Sequence, residues 1–115
     1  MINNNSLFRN ASENAFIIEN EVLELAQMIN INELYQIKSR LLTNANNLSF
    51  SVSAAFNNKN RLERIRSFVL ITGKLLEIRD YLQLLLKLRV GDTIPLMNKI
   101  DDFTDFLMVN SGSLN

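Results

Sequence analysis

Residues 60–89, NRLERIRSFVLITGKLLEIRDYLQLLLKLR, are the longest stretch of this chain with the pattern of a single α-helix. The stretch contains no proline and one glycine, and its apolar residues recur every three or four positions, which keeps one face of a helix apolar. The main series is Phe68, Ile71, Leu75, Ile78, Leu82 and Leu85. A second series, expected to widen the same stripe, is Leu62, Ile65, Val69 and Leu76. At about 45 Å, such a helix needs neighbouring helices to cover its apolar face.

Three further helices are predicted around this stretch. The first covers residues 11–29, with Asn10 or Ser12 as its cap, and the second covers residues 32–57, with Asn32 as its cap. The long helix then covers residues 60–90, capped by Asn60 and closed by Gly91 in a left-handed conformation. The last helix covers residues 93–109, with Pro95 in its first turn.

The short connections between these helices predict the architecture. Loops of two to five residues favour antiparallel neighbours, so the chain is predicted to be an all-α, up-down-up-down antiparallel four-helix bundle. This arrangement is favoured over a long extended coiled coil. A single domain over residues 1–115 suits the chain length, with flexible ends at residues 1–9 and 110–115.

Small residues mark the places where helices are expected to approach closely. Residues 43–55, TNANNLSFSVSAA, include Ala45 and Ala55, which we interpret as packing positions against a neighbour in the monomer or in an oligomer. A ligand-binding face is the less favoured alternative. Gly73, in the middle of the long helix, is interpreted as a close-packing position rather than a hinge.

The residue types that are missing exclude several classes of enzyme. The chain has no cysteine and no histidine, so it lacks Ser-His-Asp and Cys-His catalysis and histidine-ligated zinc. Asp101 and Asp105 do share a helix face, but without a histidine in an E-x-x-H motif a solvated face is the better interpretation. We therefore predict no enzymatic activity, no metal, no cofactor and no small-molecule substrate.

No stretch of the sequence resembles a membrane segment. The first ten residues lack an apolar run of signal-peptide length, and no window approaches the roughly 18 apolar residues that span a bilayer. We expect a cytoplasmic protein that does not bind a membrane.

Charge is unevenly distributed, although acidic and basic residues number twelve each. The predicted first helix has four glutamates and no basic residue, whereas residues 59–89 carry eight basic residues against three acidic ones. Four of those bases crowd the start of the long helix, where the helix dipole disfavours a cation by about 0.3–1 kcal/mol. These are Lys59, Arg61, Arg64 and Arg66.

Three interpretations of this basic helix are open. The simplest is that it complements the acidic first and last helices and thereby sets the arrangement of the bundle. The others are that the cluster binds the phosphates of RNA, without sequence specificity, or acidic groups of a neighbouring subunit.

The stretch from Glu33 to Leu82 resembles a known family without a gap. Glu33 and Tyr35 match an E-x-Y motif at the start of the second helix, and Gly73 and Glu77 match a G-x-x-x-E motif in the third. Further matching positions are Ser39, Ala45, Phe56, Lys59, Arg61, Glu63 and Arg66. The family is that of the small bacterial four-helix bundle proteins encoded in intervening sequences of 23S ribosomal RNA, which is similar to the accessory variability determinant of diversity-generating retroelements. Residues 42–43 and 49–55 depart from its polar motifs, as in a divergent member.

This resemblance implies a homo-oligomer, a ring of five bundles, with a non-enzymatic role. For the retroelement relatives it implies binding to a reverse transcriptase and its RNA. The first hypothesis is therefore an oligomeric scaffold that contacts RNA, or a nucleic-acid enzyme such as a reverse transcriptase, through the basic start of the long helix. The alternative is a structural protein–protein interaction module without nucleic-acid affinity. Apolar residues outside the main stripes would suit an oligomer interface: Phe16, Leu23, Phe50, Leu70, Tyr81, Leu84, Leu88 and Phe106.

Overall fold

The computed structural model describes residues 4–110 of the chain. Nearly all of this range is helical, and no strand occurs in it, so the all-α prediction is confirmed. A short 3₁₀ turn at Asn32–Leu34 leads into the second helix. The helices are α1 (Asn4–Met28), α2 (Tyr35–Ala45), α3 (Leu48–Asn57), α4 (Arg61–Lys87) and α5 (Ile94–Asn110).

The predicted second helix is two helices, α2 and α3. The chain breaks at Asn46, whose ψ is 126°, and at Asn47, whose φ of 62° is left-handed. Asparagine is among the few non-glycine residues that adopt this conformation readily. The structure therefore has four helical rods, α1, the α2–α3 pair, α4 and α5, packed around one core.

The first helix begins earlier than predicted. Residues 4–9, expected to be flexible, form the first turns of α1, and residues 1–3 and 111–115 of the predicted flexible ends lie outside the described residues. Leu7 is buried, because it continues the apolar spacing of Ala11, Ala15 and Ile18 by one turn. The predicted caps are inside the helix instead: the Ser12 hydroxyl lies 3.3 Å from that of Ser53.

The inner face of α4 follows the prediction in its main series and departs from it in its second. All six residues from Phe68 to Leu85 in the main series are buried. Leu62, Val69 and Leu76 are exposed, so the prediction that they widen the core stripe was wrong. Arg64 is buried in their place, because the alternating spacing of four and three, extended back from Phe68, reaches residue 64.

The two ends of α4 differ in how well they were predicted. Asn60 caps the N-terminus as predicted, since its side-chain oxygen accepts a hydrogen bond from the Glu63 N–H at 3.0 Å. At the C-terminus the left-handed residue is Arg89, with φ 59°, and not Gly91. The N–H groups of Arg89 and Val90 donate to the carbonyls of Leu86 and Leu85, the pattern of a Schellman cap.

Each rod packs against two others. Both α1 and α4 pack against α2, α3 and α5, whereas α1 and α4 share no comparable contact. Of the two acidic helices expected to lie beside the basic helix α4, α5 therefore does and is joined to it by the Arg79–Asp101 ion pair, whereas α1 does not. The molecule measures 46 × 22 × 17 Å, with α4 running along its long dimension.

Candidate functional site

Three of the four predicted basic residues lie on the surface at the start of α4. Lys59 precedes the Asn60 cap, and Arg61 and Arg66 follow it in the first two turns; all three are exposed. The Arg66 guanidinium donates a 3.0 Å hydrogen bond to Glu63, in an ion pair that is itself exposed. Screening by water makes such a pair weak, so it leaves Arg66 accessible to another anion.

Arg64 does not belong to this surface. It is only 3% exposed, and its guanidinium donates a hydrogen bond to the Asn58 carbonyl at 3.1 Å. Because Arg64 lies on the inner stripe of α4, its side chain points into the bundle and holds the loop that leads into the helix. The prediction that Arg64 binds an external partner was therefore wrong.

The structure adds Arg9 to the same end of the molecule. The Phe8 ring meets the Phe56 ring edge-on at 6.3 Å, and Phe56 meets Phe68 at 5.0 Å, so the starts of α1 and α4 lie at the same end of the bundle with Phe56 of α3 between them. Arg9, next in the chain to Phe8, is exposed. The sequence contained a signal for this placement, because Leu7 continues the apolar stripe of α1 past the predicted cap.

This end of the bundle is strongly basic. We call the exposed residues Arg9, Lys59, Arg61 and Arg66 the basic end. Among the described residues that form this end, 4–10, 55–67 and 107–110, the one acidic residue is Glu63. The helix dipoles add little net charge here, because the N-termini of α1 and α4 meet the C-termini of α3 and α5 at this end. This end therefore presents a positive surface suited to an anion.

A second surface runs along the outside of α4. Its members recur every three or four residues and point away from the core, and we call them the outer row: Leu62, Arg66, Val69, Gly73, Leu76, Asp80 and Leu84. The four apolar members are between 41% and 65% exposed. Leu70 and Leu88 are exposed beside this row. Six large apolar side chains are thus exposed on α4 and its C-terminal cap, a concentration typical of an interaction surface.

The three predicted close-packing residues fall into two groups. Ala45 and Ala55 are buried in the core, at the ends of α2 and α3. Gly73 is exposed, and a methyl group added to it would meet nothing within 4 Å. Within one chain Gly73 is therefore not a close-packing position, and only a second molecule could pack against it.

A shallow groove of about 280 Å³ separates α3 from α4. Phe50, Ala54 and Leu70 supply its apolar wall, and Lys74 lies at its edge. Among the predicted interface residues, Phe16, Phe50, Leu70, Leu84 and Leu88 are exposed, whereas Leu23, Tyr81 and Phe106 pack partly against the core. The groove thus lies next to the outer row and extends its apolar surface.

Ion pairs between the rods engage several of the acidic residues. Asp101 accepts a 2.6 Å hydrogen bond from Arg79, and Glu21 lies 2.7 Å from the Lys99 ammonium. Glu77 pairs with Arg40, and its hydrogen bond raises the pKa of that guanidinium, as the hydrogen bond to Asp101 raises the pKa of Arg79. Asp101 is thus paired with α4 and not with Asp105.

No group of three or more acidic side chains in residues 4–110 is arranged to hold a metal ion. None of the helices in the range is long and apolar enough to cross a membrane.

Comparison of the chain with protein-family models, curated proteins and solved structures found no match. The likeness to the ribosomal RNA intervening-sequence family stays a prediction from the residues quoted above.

Proposed function

We propose that this protein is a non-enzymatic, self-associating helical scaffold that binds RNA through the basic end. The single observation that carries the proposal is the exposure of Arg9, Lys59, Arg61 and Arg66 at one end of the bundle, where Glu63 is the one acidic residue among the described residues. The family resemblance suggests that the partner is an RNA held by a nucleic-acid enzyme, such as a reverse transcriptase. A cytoplasmic location follows from the same proposal.

Phosphate binding is the chemistry that suits these residues. Guanidinium groups pair with phosphate oxygens in a bidentate way, and a lysine ammonium adds a point charge. Contacts from exposed cations to phosphates do not read the bases. The expected binding is thus insensitive to sequence and sensitive to salt.

The test compares two triple variants with the same change of net charge. The first is Arg9→Glu, Lys59→Glu and Arg61→Glu, and its matched control is Lys74→Glu, Lys87→Glu and Arg89→Glu, which alters exposed bases elsewhere on the chain. Fluorescence anisotropy with a single-stranded RNA measures affinity, and circular dichroism shows that both variants are folded.

We expect the first variant to lose affinity about tenfold or more and the control to lose much less. Contacts to three phosphates make affinity fall about 20-fold between roughly 50 and 200 mM salt, and this salt dependence should weaken in the first variant. Equal affinities of the two folded variants would overturn the proposal.

We also infer that consecutive rods run up and down. Along two contacting rods, one residue number rises as the other falls, as antiparallel packing requires. The pairs are Phe8 with Phe56 and Glu19 with Ser49 between α1 and α3, and Arg79 with Asp101 and Leu82 with Thr93 between α4 and α5. Because the chain has no cysteine, a Ser12→Cys, Ser53→Cys variant tests this register directly. Failure to form the disulfide in the folded protein would contradict it.

A protein–protein interaction module without nucleic-acid affinity is the second candidate. The observation that favours it is the outer row of α4, because exposed apolar side chains on one helix suit a protein partner better than a phosphate backbone. Absence of RNA binding by the unaltered protein at low salt, together with self-association, would favour this candidate over the first.

A further inference from the structure

We infer that two copies of this chain pair through the outer row of α4, with the two helices antiparallel and crossing at Gly73. This inference rests on the self-association in the proposed function and names its contact surface. The occupant of the outer row is therefore a second copy of the chain, related to the first by a twofold axis.

Gly73 is the first observation that points to this contact. Glycine in a helix interior destabilises the helix relative to alanine. Nothing within one chain calls for glycine here, because its φ is not positive and an added methyl group would meet no atom within 4 Å. At the crossing point of two helices, the missing side chain lets the backbones approach closely.

The residues on either side of Gly73 form a self-complementary pattern. In an antiparallel pair crossing at Gly73, residues at equal distances on opposite sides of the glycine face each other. Leu62, eleven residues before it, then faces Leu84 of the partner subunit, eleven residues after it. Closer to the crossing, Val69 lies next to Leu76 of the partner subunit. Each apolar contact occurs twice because the interface is symmetric.

Charge selects the antiparallel direction. Arg66, seven residues before Gly73, faces Asp80 of the partner subunit, seven residues after it, and both residues are exposed in the single chain. A parallel pair would instead place Arg66 against Arg66 and Asp80 against Asp80. Like charges in contact disfavour that arrangement, so the row matches itself in one direction only.

The size of the surface indicates a reversible dimer. From Leu62 to Leu84 the row is about 33 Å long, and Phe50 and Leu70 in the adjacent groove extend its apolar area. One helix per partner lies toward the small end of stable interfaces, which bury about 800 Å² on each side. The pairing should therefore depend on protein concentration.

Light scattering and analytical sedimentation of the full chain test the pairing across a range of concentrations. The expected mass is twice the 13.2 kDa of the chain. Gly73→Leu should give a folded monomer, because the leucine blocks the crossing but suits an exposed helix position. Gln27→Leu, an exposed substitution on α1 outside the row, is the matched control and should stay dimeric.

A charge exchange supplies the specific readout. Arg66→Asp and Asp80→Arg should each reduce dimerisation about tenfold or more, whereas the double variant should recover it, because the facing charges are again opposite. Failure of the double variant to recover, with both single variants folded and monomeric, would overturn the antiparallel register.

The outcomes separate this inference from the proposed function. An unaltered chain that stays monomeric at all concentrations overturns the pairing and the self-association, whereas RNA binding is judged by the charge-reversal test. A ring of five, with five times the chain mass and unaffected by Gly73→Leu, overturns the pairing alone. RNA binding by the Gly73→Leu monomer is the control, since that variant keeps every base of the basic end.

Discussion

The two longest helices, α1 and α4, both bury an apolar inner face against the core, but their outer faces differ. Along its inner face α1 buries three alanines, Ala11, Ala15 and Ala26, among larger side chains, whereas α4 buries large ones such as Phe68 and Leu75. Small residues on one rod and large ones on the other fill a core of limited width.

The outer faces of these helices diverge more. On α1, exposed Phe16 and Ile17 lie among Glu13, Asn20 and Glu24. On α4, apolar residues recur along the whole outer row, and only Arg66 and Asp80 interrupt them at positions symmetric about Gly73. The core explains the inner faces of both helices but not the outer face of α4, which is why we assign a partner to that face.

The largest expected effect on stability distinguishes two adjacent residues that lie on opposite faces of α4. Leu75 is fully buried and Leu76 is 46% exposed. Leu75→Ala should lower the free energy of unfolding by about 2–5 kcal/mol, because it leaves a cavity in the core. Leu76→Ala should change it by about 0.5 kcal/mol or less when the chain is monomeric. Urea denaturation monitored by circular dichroism checks both, and equal losses would contradict the assignment of the faces.

Substitutions that enlarge a side chain should have a smaller effect on stability, and this effect should differ between α1 and α4. Ala15→Leu forces a large side chain into the core and should destabilise the protein by about 1–3 kcal/mol. Gly73→Leu should instead stabilise the monomer by about 0.5–1 kcal/mol, because leucine is the better helix former at an exposed position. Both are measured by denaturation at a concentration below that of dimerisation. A destabilising Gly73→Leu would show that Gly73 packs against its own chain.

Two buried threonines test how hydrogen bonding of a side chain in the core affects stability. The Thr93 hydroxyl donates a 2.8 Å hydrogen bond to the Leu82 carbonyl of α4, whereas the Thr104 hydroxyl of α5 has no hydrogen-bond partner among the described residues. Thr93→Val should cost about 1 kcal/mol, and Thr104→Val should be neutral or stabilising by up to about 1 kcal/mol. Thermal melting distinguishes the two, and a loss of stability in Thr104→Val would point to an unrecognised partner of its hydroxyl.

The smallest effect concerns the end of α4. Arg89 holds the left-handed conformation that glycine prefers. Arg89→Gly should stabilise the protein by about 0.5 kcal/mol, as relief of backbone strain outweighs the greater freedom of glycine in the unfolded chain. Lys87→Gly, inside the helix, should destabilise it by about 1 kcal/mol. If both substitutions destabilised the protein equally, the Schellman cap at Arg89 would be contradicted.

Much of the fold was predictable from local rules. The main apolar series of α4 is buried, and Asn60 caps the helix, because periodicity and capping depend on residues close in sequence. The break at Asn46 and Asn47 was not predicted, since asparagine is tolerated both inside a helix and in a left-handed turn.

The sequence predicted that the candidate site is basic, but it did not predict which residues belong to the site. Lys59, Arg61 and Arg66 are exposed at the start of α4, in line with the basic cluster in the sequence. Arg64 faces inward, and Arg9 joins from α1 through the contact of Phe8 with Phe56. Neither placement follows from local sequence, because each depends on how one helix lies against another.

By itself, then, the sequence determined that the chain is helical and which residues of each helix share a face, since both follow from hydrogen bonding and spacing within a few turns. Only the tertiary structure decided which apolar series of α4 is covered and which is left open. A helix in a bundle has neighbours on part of its circumference only, so packing buried Arg64 with the inner series and left Gly73 on the outer row, where a second molecule can reach it.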